Sequence, residues 1–148
     1  MAKNNRFQPK KVGNYRREKK SLELKKDGTV RKQFLVFSLK DLDRSQGEKF
    51  EKWEESEILA KALNRIHGFC RMTLQEAKNT NLIKVYGKGL PTNSKFKHPH
   101  YISEDIEWVS IRIQGKERII GYIEQEFIFQ VVFLDMEHLF YPSKKKNT

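Results

Sequence analysis

From Glu107 to Pro142 the chain reads EWVSIRIQGKERIIGYIEQEFIFQVVFLDMEHLFYP, and this stretch constrains the fold more than any other. Val109, Ile111 and Ile113 alternate with Ser110, Arg112 and Gln114, the period of two expected for a strand with one buried face. Gly115-Lys116 is a tight-turn signal, and Arg118 to Glu124 runs back from it. Gln125-Glu126 turns again into FIFQVVFL, which is apolar on both faces and so belongs at the centre of a sheet. The stretch therefore reads as three consecutive antiparallel strands and a short fourth.

The upstream segments are arranged around that meander. QFLVFSL (33–39) has the composition of a buried strand, and Asp41, Asp43, Ser45 and Gly47 follow as a loop. From Glu48 to His67, Phe50, Trp53, Ile58, Leu59, Ala62, Leu63 and Ile66 recur at helical spacing, predicting one long helix closed by Gly68. Thr73 and Glu76 have capping-box spacing and open a short second helix through about Asn79. In 82–105 a brief apolar run gives way to a loop rich in Gly, Pro, Asn, Ser and Lys, the longest interior segment without periodicity. The expected fold is α+β: an antiparallel sheet of about four strands with one long and one short helix on one face.

The chain has 148 residues, enough for one domain with a real core and hardly enough for two. Its net charge of +11 is unevenly placed. Residues 1–32 hold 12 Lys/Arg against 3 Asp/Glu, whereas 33–143 hold 15 basic and 16 acidic residues. Lys144, Lys145 and Lys146 lie in a basic tail over 144–148. A basic, flexible N-terminal arm (1–32), a nearly neutral domain (33–143) and a basic tail are thus expected, with a short hairpin at Asp27-Gly28 allowed in the arm. Such an arm suits nucleic acid, where Lys and Arg displace counterions from phosphates, or serves only solubility. Arg16, Arg17, Lys19 and Lys20 are its candidate RNA contacts.

A single cysteine, Cys70, excludes an internal disulfide and suits a reducing compartment. No apolar run approaches a membrane span, and no apolar segment follows the basic N-terminus, so a soluble, cytoplasmic protein is expected. His67, Cys70, His98 and His100 are too scattered to specify zinc, and no metal or cofactor is expected. Tyr86-Gly87-Lys88-Gly89 lacks the spacing of a phosphate-binding loop.

Within the meander Arg112 lies opposite the inward-facing set. Arg118 opens the next strand and points to the same open face if Ile119, Ile123 and Phe127 are buried. His138 and Tyr141 close the domain. Cleaving RNA without a metal takes a group to accept the 2′-OH proton, a group to protonate the leaving 5′-oxygen, and cations to stabilise the phosphorane. His138, Tyr141, Arg118 and Arg112 are of the right types, although the same residues also serve as ordinary surface and packing groups.

The run I-R-I-Q-G-K-E-R-I-I-G-Y-I-E, then F-I-F-Q-V-V-F-L and H-L-F-Y, resembles the C-terminal half of the RelE/ParE toxin superfamily over about 35 residues. The resemblance implies a RelE-like α+β endoribonuclease that often acts on messenger RNA at the ribosome and is neutralised by an antitoxin. Arg118 matches the family's strand arginine and Tyr141 its terminal tyrosine, while His138 lies where several members carry His or Arg. The chain departs from the family in its arm, in its 82–105 loop and in Asp135 and Glu137, two acidic residues that would repel phosphate beside such a site.

Lys84, Lys88, Lys95, Lys97, His98 and His100 set cations among Tyr86, Phe96 and Tyr101, a composition that holds single-stranded RNA by phosphate contact and stacking. Equally, Phe96 and Tyr101 can anchor the loop while its lysines stay solvated. Two further readings remain open. One is a non-catalytic nucleic-acid-binding module, as in phage or host defence. The other is a protein-interaction module that uses an exposed sheet edge and Trp108 for an antitoxin or a second copy.

Overall fold

A computed structural model describes residues 32–142. The basic arm up to residue 31, with Arg16, Arg17, Lys19, Lys20 and the hairpin expected at Asp27-Gly28, lies outside the described residues, as does the tail over 144–148. The described chain is α+β, with five strands and three helices. In order these are β1 (Val36–Ser38), α1 (Phe50–Glu55), α2 (Leu59–Phe69), α3 (Leu74–Lys78), β2 (Ile83–Lys88), β3 (Glu107–Arg112), β4 (Arg118–Glu124) and β5 (Ile128–Asp135). Among the described residues no helix is long and apolar enough to cross a membrane.

The sheet order is β1-β5-β4-β3-β2, and it is mixed rather than purely antiparallel. Three strands of the expected meander are present: β3, β4 and β5 pair antiparallel, and β5 is internal as its two-sided apolar sequence required, but the short fourth strand expected before Pro142 does not form. Gln125 and Glu126 both have positive φ (54° and 67°), and the Phe127 N–H donates to the Glu124 carbonyl at 3.2 Å, a tight two-residue hairpin turn.

Two strands correct the expectation of four. The brief apolar run at 82 is β2, an edge strand paired antiparallel to β3, so the loop begins only after Lys88. β1 pairs parallel to β5 through Val36↔Ile128 and Ser38↔Gln130. Hairpin turns set the direction of neighbouring strands, whereas β1 meets β5 from far upstream and its direction is set by packing alone. Nor is β1 buried on both faces. Leu35 packs inward and Phe37 stacks on Phe129 at 5.0 Å, while Phe34, Val36 and Leu39 are exposed.

The predicted long helix is two helices. Glu57 takes φ 59°, the Ile58 N–H donates to the Trp53 carbonyl (2.8 Å), and the Glu57 N–H donates to that of Glu54 (3.0 Å). These bonds close α1 in a Schellman turn, with buried Ile58 packed in the same core as buried Trp53. The break rotates the helical register, which leaves Leu63 58% exposed although its spacing predicted burial. Gly68 does not end α2, which continues to Phe69. The capping box of α3 forms as read, with Thr73 and Glu76 exchanging side-chain-to-backbone bonds of 3.1 Å each.

Both faces of the sheet are covered. One core holds Trp53, Ala62, Phe69 and Ala77 of the helical layer against Val109, Ile111, Ile119, Phe129, Val131 and Leu134. On the opposite face Phe96, Ile102 and Phe140 pack on Trp108, Ile120, Tyr122, Val132 and Phe133. The loop after β2 and the segment after β5 therefore form a second layer. Trp108, expected to be available to a partner, is fully buried in it.

Candidate functional site

β-Bulges decide which side chains share the second face. Between β4 and β5 the register runs Gly121↔Val131 and then Ile120↔Phe133, so Val132 is an extra residue. One inserted residue reverses the inside–outside parity of everything after it. Phe129 and Val131 face the helices, but beyond the bulge Leu134 does so, and Asp135 turns to the other face. There Asp135 opposes Arg118, which opposes Arg112 on β3, and in the next row Ser110 lies between Lys84 of β2 and Ile120 of β4. A second bulge, at Tyr86 on the edge strand, brings its hydroxyl to 3.0 Å from Ser110 Oγ.

The segment after β5 closes over these rows. Asp135, with no exposed surface, accepts hydrogen bonds from the Leu139 N–H (2.9 Å) and the Phe140 N–H (2.8 Å). Glu48, ahead of α1, accepts from the Met136 N–H (2.6 Å) and from Trp53 Nε1 (2.8 Å). Phe140 is buried, with ring centroids 5.3 Å from Trp108 and 5.6 Å from Tyr86. Held at these points, the backbone passes through His138 at φ 61°, a left-handed conformation uncommon for a residue with a side chain. Tyr141 then stacks on Tyr86, centroids 5.0 Å apart and planes 11° apart. Lys84 Nζ lies 4.8 Å from the Tyr141 ring centre and 5.3 Å from that of Tyr86, within cation–π range of both.

The result is a polar cluster at one end of the sheet. Ser110 and Asp135 form its floor, Tyr86, Arg118 and His138 are half-buried, and Lys84, Arg112 and Tyr141 are exposed. Its electrostatics follow from that burial. Desolvation, followed by the neighbouring Arg118 charge, pushes His138 below the usual imidazole range, with Asp135 opposing. Desolvation raises Tyr86 above the usual phenol range, while its bond to Ser110 and the Arg118 charge pull the other way. Burial raises Asp135, opposed by its two backbone donors and by the His138 and Arg118 charges. Arg118 is itself lowered by desolvation, and its Nη1 donates to the Gly115 carbonyl at 2.7 Å. At neutral pH the cluster thus offers a neutral imidazole, a protonated phenol and a fixed guanidinium, the complement that proton transfer at a phosphodiester requires.

The four residues singled out as catalytic, Arg112, Arg118, His138 and Tyr141, all lie around this cluster. Tyr86, Ser110 and Asp135 were not among the residues expected to be catalytic, and alternation along I-K-V-Y would have placed Tyr86 with Lys84 had 82–88 been read as a strand. Of the two acidic residues expected to repel phosphate, both have partners, and Asp135 lies within the cluster opposite Arg118. Asp135 is consumed in holding the chain, and Glu137 is paired to Lys116 at 2.5 Å.

The remaining RNA-binding candidates divide between exposed residues and residues that serve the second core. Lys88 ends β2, Lys95 and Lys97 are exposed, and the Lys95 N–H donates to the Leu139 carbonyl at 2.9 Å. His98 is bound to the Ile102 carbonyl at 2.8 Å and set edge-on to Trp108, so it serves the second core. His100 is exposed beside Tyr101, Phe96 is buried, and the Tyr101 hydroxyl donates to the Asp41 carbonyl at 3.1 Å. Phe96 therefore anchors the loop by burial, while Tyr101 is tied by its hydroxyl and keeps its ring exposed. Among the described residues no three or more His, Cys, Asp or Glu side chains are grouped to hold a metal ion. The chain matches no family model, no curated protein and no solved structure.

Proposed function

We propose that the chain is a RelE-like endoribonuclease, with this cluster as its site. The observation that carries the proposal is the gathering of Arg118, His138, Tyr86, Tyr141 and Lys84 over one end of the sheet by three strands and the terminal segment. Neutral His138 takes the proton from a ribose 2′-OH, and the 2′-oxygen attacks phosphorus. Arg118, with Arg112 and Lys84, stabilises the phosphorane charge. Tyr141 or its stacked neighbour Tyr86 protonates the departing 5′-oxygen, leaving a 2′,3′-cyclic phosphate and a 5′-hydroxyl. Single-stranded RNA, including messenger RNA on the ribosome, is the substrate class of this reading. Its neutralising antitoxin is expected to add a strand at the exposed β1 edge, where Phe34, Val36 and Leu39 are presented.

The test is incubation of labelled RNA with the protein, with and without EDTA, beside His138→Ala and Arg118→Ala. EDTA-resistant fragments that disappear in each folded variant are expected. Undiminished cleavage by a folded double variant refutes the site. Intact RNA that still shifts on a gel favours the non-catalytic binding module instead, a reading supported by the exposed Lys88, Lys95 and Lys97.

A further inference from the structure

At the end of β3 the helical layer leaves an open pocket of about 320 Å³ between α2 and the strand. Lys61, Asn64 and Arg65 of α2 line one side, and Ile113 and Gln114 the other. The α2 residues are one helical turn apart and so share a face, while Gln114 follows the last residue of β3 by two positions. Arg65 Nη2 donates to the Ile113 carbonyl at 2.5 Å, which fixes the guanidinium across the pocket. Its Nε–H is buried without a partner, a donor left unsatisfied. No carboxylate lines the pocket, and among the described residues no ion pair engages Lys61 or Arg65. Two cations and two amide side chains without a counter-charge make a lining suited to an anion with several acceptor oxygens.

We infer that this pocket binds a phosphate group, that of an RNA backbone flanking the bond at the Arg118–His138 cluster. The inference rests on the ribonuclease reading for the source of the phosphate but not for the anion chemistry. Arg112 and Gln114 leave the same strand end, two residues or roughly 7 Å apart along the chain. Arg112 and Arg118 lie on the face away from α2, so an RNA strand held there would reach the pocket only by passing round the end of the sheet at the Gly115-Lys116 turn. The pocket would set register on the substrate while standing apart from the chemistry.

Two measurements on the full chain separate these claims. In the first, inorganic phosphate is titrated while the backbone amide resonances of Lys61–Arg65 and Ile113–Gln114 are followed. Saturable shifts are expected in the natural chain, and their loss is expected in Lys61→Glu. In the second, affinity for a short single-stranded RNA is measured across salt concentrations for the same variant. Lys78→Glu, an equal charge change outside the pocket, is the control. Lys61→Glu is expected to weaken binding about tenfold and to reduce the magnitude of the salt slope by about 0.7, the value for one single-strand phosphate contact. Lys78→Glu should do neither. Phosphate shifts without RNA binding would keep the anion site and overturn its RNA occupant. Absence of saturable phosphate shifts, or equal effects of the two variants, would overturn the pocket as a phosphate site.

Discussion

Asp135→Ala tests the link between the fold and the candidate site most directly. The carboxylate is fully buried and accepts from two backbone N–H groups, those of Leu139 and Phe140. Hydrogen bonds to a charged group contribute about 1.5–3 kcal/mol each, so their loss removes roughly 3–6 kcal/mol and strands two donors. Alanine also escapes the cost of burying a carboxylate, the cost that raises the pKa of Asp135. The net destabilisation expected is about 2–4 kcal/mol. Asp135→Asn keeps one acceptor oxygen and should lose roughly half as much.

Urea unfolding followed by tryptophan fluorescence reads this well, because Trp53 and Trp108 are both fully buried, one in each core. Amide exchange at Leu139 and Phe140 should accelerate in the alanine variant before global unfolding does. Cleavage should fall in parallel, since His138 and Tyr141 are carried on the released segment. A loss below about 0.5 kcal/mol, with both amides still protected, would refute the reasoning. Packing of Phe140 would then be what holds the segment.

Three other outcomes follow from the same geometry. Gly121→Ala would place a Cβ 1.9 Å from the Gln130 carbonyl oxygen, so it should cost about 3 kcal/mol or more, whereas Gly68→Ala, with nothing within 4 Å, should gain about 0.5–1 kcal/mol; thermal melts compare them. Glu57→Gly relieves a side chain at φ 59° in the turn between α1 and α2 and should stabilise by about 0.5–1 kcal/mol in urea titration. His138 has a folded pKa below the ordinary imidazole value of about 6.5, so the unfolded chain binds the proton first and His138's contribution, complete above that value, is lost as pH falls below it. The stability gap between the natural chain and His138→Gln should therefore change between about pH 7 and pH 5, with the acid limb of cleavage below pH 6.5; a limb that survives in His138→Gln belongs to another group.

The elements legible before folding are those whose signals are local. Alternation at 109–113, the turns at Gly115-Lys116 and Gln125-Glu126, the internal position of FIFQVVFL and the Thr73–Glu76 capping box depend on neighbours a few residues away. The placement of Arg118 on the face away from the helices followed too, because parity within one strand is a local property, although that face is covered rather than open. The rest depends on contacts between segments distant in the chain. The parallel pairing of β1 with β5 joins segments that no turn connects, and Glu57 breaks the helix without the glycine that would have announced the break. The bulge at Val132 leaves no mark in an all-apolar run, yet it alone turns Asp135 toward Arg118. Tyr86 joins the cluster because 83–88 pairs with β3, and 82–88 in isolation is too short for its period to be distinctive. Periodicity can say which residues share a face of one element; which faces meet depends on long-range pairing and close packing, and the candidate site is made of such meetings.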